Sequence, residues 1–309
     1  MTFAFVFPGQ GSQSVGMLNA FADNAVVRST LEEASSALGQ DIGRLIAEGP
    51  AEELNLTTNT QPVMLTAAVA VYRAWIDAGG PRPSLVAGHS LGEYSALVAA
   101  GVIPFADAVP LVRFRAQAMQ EAVPVGEGGM AAILGLSDDD VRAACAEAAS
   151  AGVVEAVNFN APLQVVIAGH KGAVERACEI AKTKGAKRAL PLPVSAPFHS
   201  SLLKPASDRL KGRMAGLTFA APQIPLVNNV DVAIVSDPAQ IKDALVRQAA
   251  APVRWVECVQ KIAAEGVTHV IECGPGKVLA GMTKRIDGNL VGGAIFDPAS
   301  LQETLALLR

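Results

Sequence analysis

Charged residues are scarce. The 309 residues include 25 Lys and Arg and 29 Asp and Glu, 17% in all and a formal charge of −4, against about a quarter charged in ordinary globular domains. With no clustered surplus of cations there is nothing to hold a phosphate backbone, which excludes nucleic acid as a partner. Cysteine is nearly absent too. Cys145, Cys178, Cys258 and Cys273 stand far apart without a CxxC or Cys/His pairing, so neither a zinc site nor a disulfide framework is expected, and they read as reduced core residues of a cytoplasmic protein. No apolar run reaches membrane length. The uncharged stretch 54–72 opens with Asn55, Thr57, Thr58, Asn59 and Gln61. The first residues, MTFAFVFPGQGSQ, have no basic start and only Phe3 to Phe7 as an apolar run, too short for a signal sequence. What is abundant is apolar residue, half of the chain, with 28 Gly and 19 Pro spread along it, which excludes disorder and collagen-like repeats.

Strand-like runs alternate with helical patterns. Residues 3–7 read as a strand, 28–38 and 61–78 as helices, 85–87 as a strand running into Gly88, and 93–100 and 105–122 as helices, the alternation of a parallel α/β sheet. Pro110 either kinks the last of these or sits in its first turn. From Gly126 the texture changes. GGMAAILGL is a strand, Ser137 caps a helix through DDDVRAACAEAAS, VVEAVNFNAPLQVVIAG gives two strands about a proline turn, and a helix over 173–184 precedes a strand over 187–194. This is a split βαβ unit of the ferredoxin-like type. The expected division is 1–125 with 196–309 as one domain and 126–195 as an inserted small subdomain. Beyond it come helix (201–215), strand (225–230), helices at 239–247 and 254–264, and the strand THVIEC, after which GPGK makes a tight strand-to-helix turn at a sheet edge.

Gly88-His89-Ser90-Leu91-Gly92 fits G-x-S-x-G. The motif alone is weak, because a glycine turn with a capping serine gives the same pattern. Its context is strand before and helix after, the setting in which a sharp turn exposes a serine hydroxyl at a helix N-terminus. Such a hydroxyl needs a base. Only four histidines exist. His89 is a sequence neighbour and should point away, His269 lies mid-strand and reads as a core residue, and His170 reads as a surface turn. His199, in the Pro-flanked loop SAPFHSS, is the best candidate. No Asp or Glu stands out to orient it, since Asp138 to Asp140 are explained by helix capping, so a Ser-His dyad with the imidazole held by a carbonyl is expected. Arg113 and Arg115 face opposite ways on one helix, so only one reaches a cleft, where it would grip a carboxylate.

FPGQGSQ at 7–13, GHSLGEY at 88–94, RFRAQAMQ at 113–120, SAPFHS at 195–200, APVRW at 251–255 and ECGPGKVL at 272–279, in this order over nearly the whole chain, resemble malonyl-CoA:acyl carrier protein transacylases. The resemblance implies an α/β-hydrolase-like core with a ferredoxin-like insert. It implies Ser90 as acyl-accepting nucleophile, His199 as general base, the N–H groups of Gln10 and Leu91 as oxyanion hole, Arg115 as ligand of the malonyl carboxylate, and the Gln248 main-chain carbonyl as the group orienting the histidine. Met119 and Asn160 would line the substrate cleft, and Phe198 would crowd an α-methyl group. The implied reaction is ping-pong transfer of malonyl from malonyl-CoA to acyl carrier protein through a serine ester, supplying fatty acid synthesis, with no metal or redox cofactor, and monomer is the family's default. A polyketide carrier, an acyl-thioester hydrolase of the same fold and an inactive docking module are the alternatives. A hydrolase should lack the arginine, and a docking module should lack Ser90 or His199. Two basic clusters could meet an acidic carrier: Lys182, Lys184, Lys187 and Arg188, or Lys204, Arg209 and Lys211 beside His199.

Overall fold

Every residue of the first strand, β1 (Phe3–Phe7), is buried, as its unbroken apolar run requires of a strand covered on both faces. The computed structural model describes residues 1–194 and 196–308; Ser195 and Arg309 lie outside the described residues. After β1 come α1 (Ala25–Leu38), α2 (Ile42–Glu48), α3 (Ala51–Leu54), α4 (Thr57–Asp77), β2 (Leu85–Gly88), α5 (Gly92–Ala99) and α6 (Phe105–Glu121). The next segment holds β3 (Gly128–Leu134), α7 (Asp138–Ala148), β4 (Val154–Ala161), β5 (Gln164–His170), α8 (Lys171–Thr183) and β6 (Arg188–Pro191). Then follow α9 (Lys204–Ala215), β7 (Leu226–Val227), α10 (Pro238–Gln248), α11 (Trp255–Ala264), β8 (His269–Cys273), α12 (Val278–Ile286), β9 (Val291–Ile295) and α13 (Pro298–Leu308).

The larger sheet runs β7-β2-β1-β8-β9 with every pairing parallel, so its loops on one side all follow strand C-termini, where α/β sheets gather their ligands. The GPGK turn follows β8, which pairs with both β1 and β9. The expected place at a sheet edge is therefore corrected: β9 is the outer strand. Its VGGAI carries no strand signature because glycine weakens one. The glycines are there for fit, since a Cβ on Gly292 would stand 2.8 Å from the Ala280 carbonyl of α12 and one on Gly293 2.8 Å from the Ile271 side chain of β8. Pro110 is also resolved. It is the sixth residue of an unbroken α6, beyond the first turn.

The smaller sheet is antiparallel in the order β4-β5-β3-β6, the ferredoxin-like arrangement. Alternation along β3 sends Ala131 and Ile133 against α7 and α8, while Met130 joins the main core, as a period of two demands. Hydrogen bonds from β4 help tie this sheet to the rest. Next to the bulges of β4, Phe159 donates to the Val253 carbonyl (3.0 Å) and Val253 to that of Val157 (2.8 Å). Glu155 of β4 accepts from the Ser201 N–H and hydroxyl at 2.7 and 2.8 Å.

Candidate active site

The turn from β2 into α5 brings backbones closer than any side chain permits. A Cβ on Gly88 would lie 1.9 Å from the Gly92 carbonyl carbon, and one on Gly92 would lie 2.0 Å from the Phe7 carbonyl oxygen. Glycine at both positions is thus a steric requirement. Ser90 between them is held at φ 52°, a left-handed conformation that costs a non-glycine residue about 1 kcal/mol or more. The Asn229 side chain fixes it, accepting from the Ser90 N–H (2.8 Å) and donating to the Gly88 carbonyl (2.8 Å).

His199 also adopts a positive φ, 65°, in the loop leading to α9. Its Nε2 lies 2.7 Å from Ser90 Oγ, and its Nδ1 lies 2.9 Å from the Gln248 carbonyl oxygen. A carbonyl only accepts, so Nδ1 carries the proton and Nε2 is the free base facing the hydroxyl. The imidazole is 3% exposed. Burial, and then the Arg115 cation, push its pKa down to about 3, which keeps it neutral and able to accept a proton throughout the physiological range. Because kcat/KM titrates with the free enzyme, we expect acylation to show no acid limb between pH 5 and 7; a limb near 6.5 in a pre-steady-state pH profile would contradict this reading.

Arg115, 1% exposed on α6, donates to Gln61 Oε1 (2.9 Å), Gln248 Oε1 (2.9 Å) and Ser90 Oγ (3.1 Å), and its guanidinium lies 5.4 Å from the Tyr94 ring centre. All these partners are neutral, and among the described residues no carboxylate forms an ion pair with it. A carboxylate entering here meets a desolvated cation whose nearest buried acid, Glu93, stands behind Gln248 and makes no direct contact with it. Arg113 points the opposite way, to Gln40 and Asn59, as helical spacing requires.

These groups line a cavity of about 630 Å³ together with Gln10, Leu91, Met119, Asn160 and Phe198. The structure thus brings to one place all the residues the sequence singled out, with Gln248 directly behind His199 and Arg115. Among the described residues neither the Gln10 nor the Leu91 N–H has an acceptor inside the protein, and Leu91 opens α5, whose N-terminal dipole favours negative charge. Asn160 Oδ1 accepts from His89 Nε2 at 2.7 Å. His89 turns from the serine as expected, packs against Trp255, and still borders the cavity. His269 is half-buried at the first position of β8, 2.9 Å from the Thr268 hydroxyl, and is not the core residue its flanks suggest. Of the basic side chains near His199, Lys204 pairs with Asp208 and Arg209 with Glu121, so the charge of that cluster is largely compensated.

Three residues escaped the sequence reading: Gln61, Asn229 and Glu93. Each acts through another side chain and carries no motif of its own, although Glu93 stands inside GHSLGEY. Its buried carboxyl is pushed up to about 7 by desolvation, against hydrogen bonds from Gln248 and Asn229.

Comparison with known proteins agrees with this geometry. A family model described as the acyl transferase domain matches residues 4–286. The malonyl CoA-acyl carrier protein transacylase of Salmonella typhimurium is 60% identical over 304 residues, 98% of each chain, and that of Bacillus subtilis is 44% identical over 308 residues, 99% of this chain and 97% of the other. The crystal structure of an acyl-carrier-protein S-malonyltransferase from Burkholderia pseudomallei superposes with a TM-score of 0.98 at 80% identity, covering 99% of this chain and 100% of that one. A malonyl-transacylase solved with its type II polyketide synthase acyl-carrier protein gives 0.98 at 53% identity, with the same coverage. With an elbow serine, a carbonyl-held histidine and a buried arginine in one cavity, and relatives alike from end to end, the chain belongs to the acyl transferase family, among the malonyl CoA-acyl carrier protein transacylases.

Proposed function

We propose that Ser90 carries the malonyl group as an ester between coenzyme A and the phosphopantetheine thiol of acyl carrier protein, the transfer this family performs. The observation that carries the proposal is the chain Ser90 Oγ to His199 Nε2 and His199 Nδ1 to the Gln248 carbonyl, with Arg115 Nη2 3.1 Å from the same hydroxyl. Ser90 Oγ attacks the thioester carbonyl as His199 Nε2 takes its proton. The oxyanion lies against the Gln10 and Leu91 N–H groups, each worth roughly 3 to 4 kcal/mol in the transition state. Collapse breaks the carbon–sulfur bond, and the coenzyme A thiolate leaves with the proton from His199. In the second half the carrier thiol gives its proton to His199 and attacks the ester, and Ser90 departs with that proton. The scheme uses thioester, serine and histidine only.

Arg115 anchors the free carboxylate of the malonyl group, with Met119, Asn160 and Phe198 bounding its pocket. Of the described residues, 126–194 form the small subdomain, which supplies Met130, Asn158 and Val166 to the cavity wall, and the others form the catalytic domain. The four cysteines are free and buried, which fits a reducing cytoplasm, and the large exposed apolar side chains stand singly along the sequence, in keeping with a monomer. Fatty acid synthesis is the principal role; the likeness to a transacylase solved with a polyketide carrier favours a polyketide carrier as second acceptor.

Intact-protein mass spectrometry after brief mixing with malonyl-CoA tests this. The expected result is one malonyl adduct on Ser90 that vanishes when carrier protein is added. Free malonate without an adduct would move the reading to a hydrolase, and no reaction to a docking module.

A further inference from the structure

A single buried oxygen, Glu93 Oε2, joins the supports of the site. It accepts from Gln248 Nε2 (2.9 Å) and from the Asn229 backbone N–H (3.1 Å). Gln248 is a junction of its own. Its Nε2 also donates to the Ser90 carbonyl (2.9 Å), its Oε1 accepts from Arg115 (2.9 Å), and its main-chain carbonyl holds His199 (2.9 Å). An amide can be turned either way round, and one orientation puts –NH2 against the Arg115 cation. Glu93 Oε2, which also accepts from the Asn229 N–H, meets the amide as an acceptor and so disfavours that orientation. Glu93 occupies the first turn of α5 at 1% exposure, where the chemistry proposed for Ser90 and His199 does not use it, and burying a carboxylate without a role is costly.

We propose that Glu93 is a positioning residue for acyl selection: it fixes the Gln248 amide with its oxygen toward Arg115, and so holds the guanidinium where it reads the substrate carboxylate. The inference rests on the reading of Ser90 as nucleophile and Arg115 as carboxylate ligand. It assigns to Glu93 a task distinct from either, since the substrate never touches it. Loss of the acceptor leaves the Ser90 carbonyl as the one remaining partner of Gln248 Nε2, which weakens the hold on the amide, loosens Arg115, and erodes discrimination as well as rate.

The test is the rate of serine-ester formation from malonyl-CoA and from acetyl-CoA on the full chain, read by quenched-flow mass spectrometry. Glu93→Leu is expected to slow malonyl loading about 100-fold and to lower the malonyl-to-acetyl ratio about tenfold. Glu93→Gln, which keeps an acceptor oxygen, recovers most of that ratio. In a Gln248→Ala background Glu93→Leu leaves the ratio unchanged, since the amide through which it acts is gone. Should Glu93→Leu not fold, Glu93→Asp, with its carboxylate drawn back by one methylene, carries the same expected fall in ratio. A merely structural role lowers both loadings by one factor; that result, or a ratio change that persists without the Gln248 side chain, overturns the proposal. If the unsubstituted protein forms no serine ester at all, the functional reading fails instead.

Discussion

Removing either member of the dyad, by Ser90→Ala or His199→Ala, lowers malonyl transfer by about 10⁴-fold or more, and the double variant is no slower than the worse single one. The expectation follows from connectivity. The imidazole has one acceptor site, aimed at one hydroxyl 2.7 Å away, so without the serine the base has nothing to deprotonate, and without the base the serine stays a neutral alcohol. Arg115 cannot replace His199. It also reaches Ser90 Oγ, but a guanidinium only donates, and a donated hydrogen bond does not remove the serine proton. What survives is the oxyanion hole and substrate binding. Loss of only tenfold in His199→Ala, or losses that multiply in the double variant, would show that the two side chains work separately. A coupled transfer assay with purified carrier protein measures both.

The second large effect is expected from Arg115→Ala. Removing one partner of a buried ion pair costs about 3 to 5 kcal/mol, roughly 10²- to 5 × 10³-fold in kcat/KM for malonyl-CoA. Acetyl-CoA has no carboxylate to lose, so its kcat/KM stays level or rises and the preference for malonyl collapses. Arg115→Lys sharpens the test. Lysine restores the charge, but its compact ammonium cannot reach Gln61 and Gln248 together as the planar fork does, so only part of the malonyl preference should return. Parallel decline of malonyl and acetyl turnover in Arg115→Ala would mean that the arginine supports the pocket and reads no carboxylate.

Much of this was legible in the sequence, for reasons that differ residue by residue. β1, β2 and the four strands of the small sheet announce themselves because a buried strand needs an apolar run or strict alternation. Ser90 is visible because the steric demands at Gly88 and Gly92 leave no other residue possible, and His199 because only four histidines compete. Helical periodicity allowed only one of Arg113 and Arg115 into the cleft, and the family resemblance picked out Arg115. The supports were hidden. Asn229 and Gln61 are ordinary amides brought in by the fold from about 140 and 30 residues away, and Glu93 looks like an unremarkable first-turn acid. β9 was missed since its glycines make room for α12 and for Ile271 of β8 at the expense of strand character, and this moved the apparent sheet edge inward. Short α2 and α3 lack the length over which a helical period shows.

The strand order bears on how the molecule is made. β1 lies between β2 and β8, and its partners on the two sides begin at Leu85 and His269. During synthesis the first strand to emerge can pair on one side early, but its other edge waits until more than 260 further residues have followed. The loop after it, bearing Gln10, is braced by the turn beyond β8, where Gly274 approaches Pro8 and Gly276 approaches Ser12. A nascent chain therefore completes the loop beside Ser90 only after β8 and its following turn have emerged. Activity appears only after the long-range closure, and recovery of serine acylation during refolding reports the slow formation of the whole sheet.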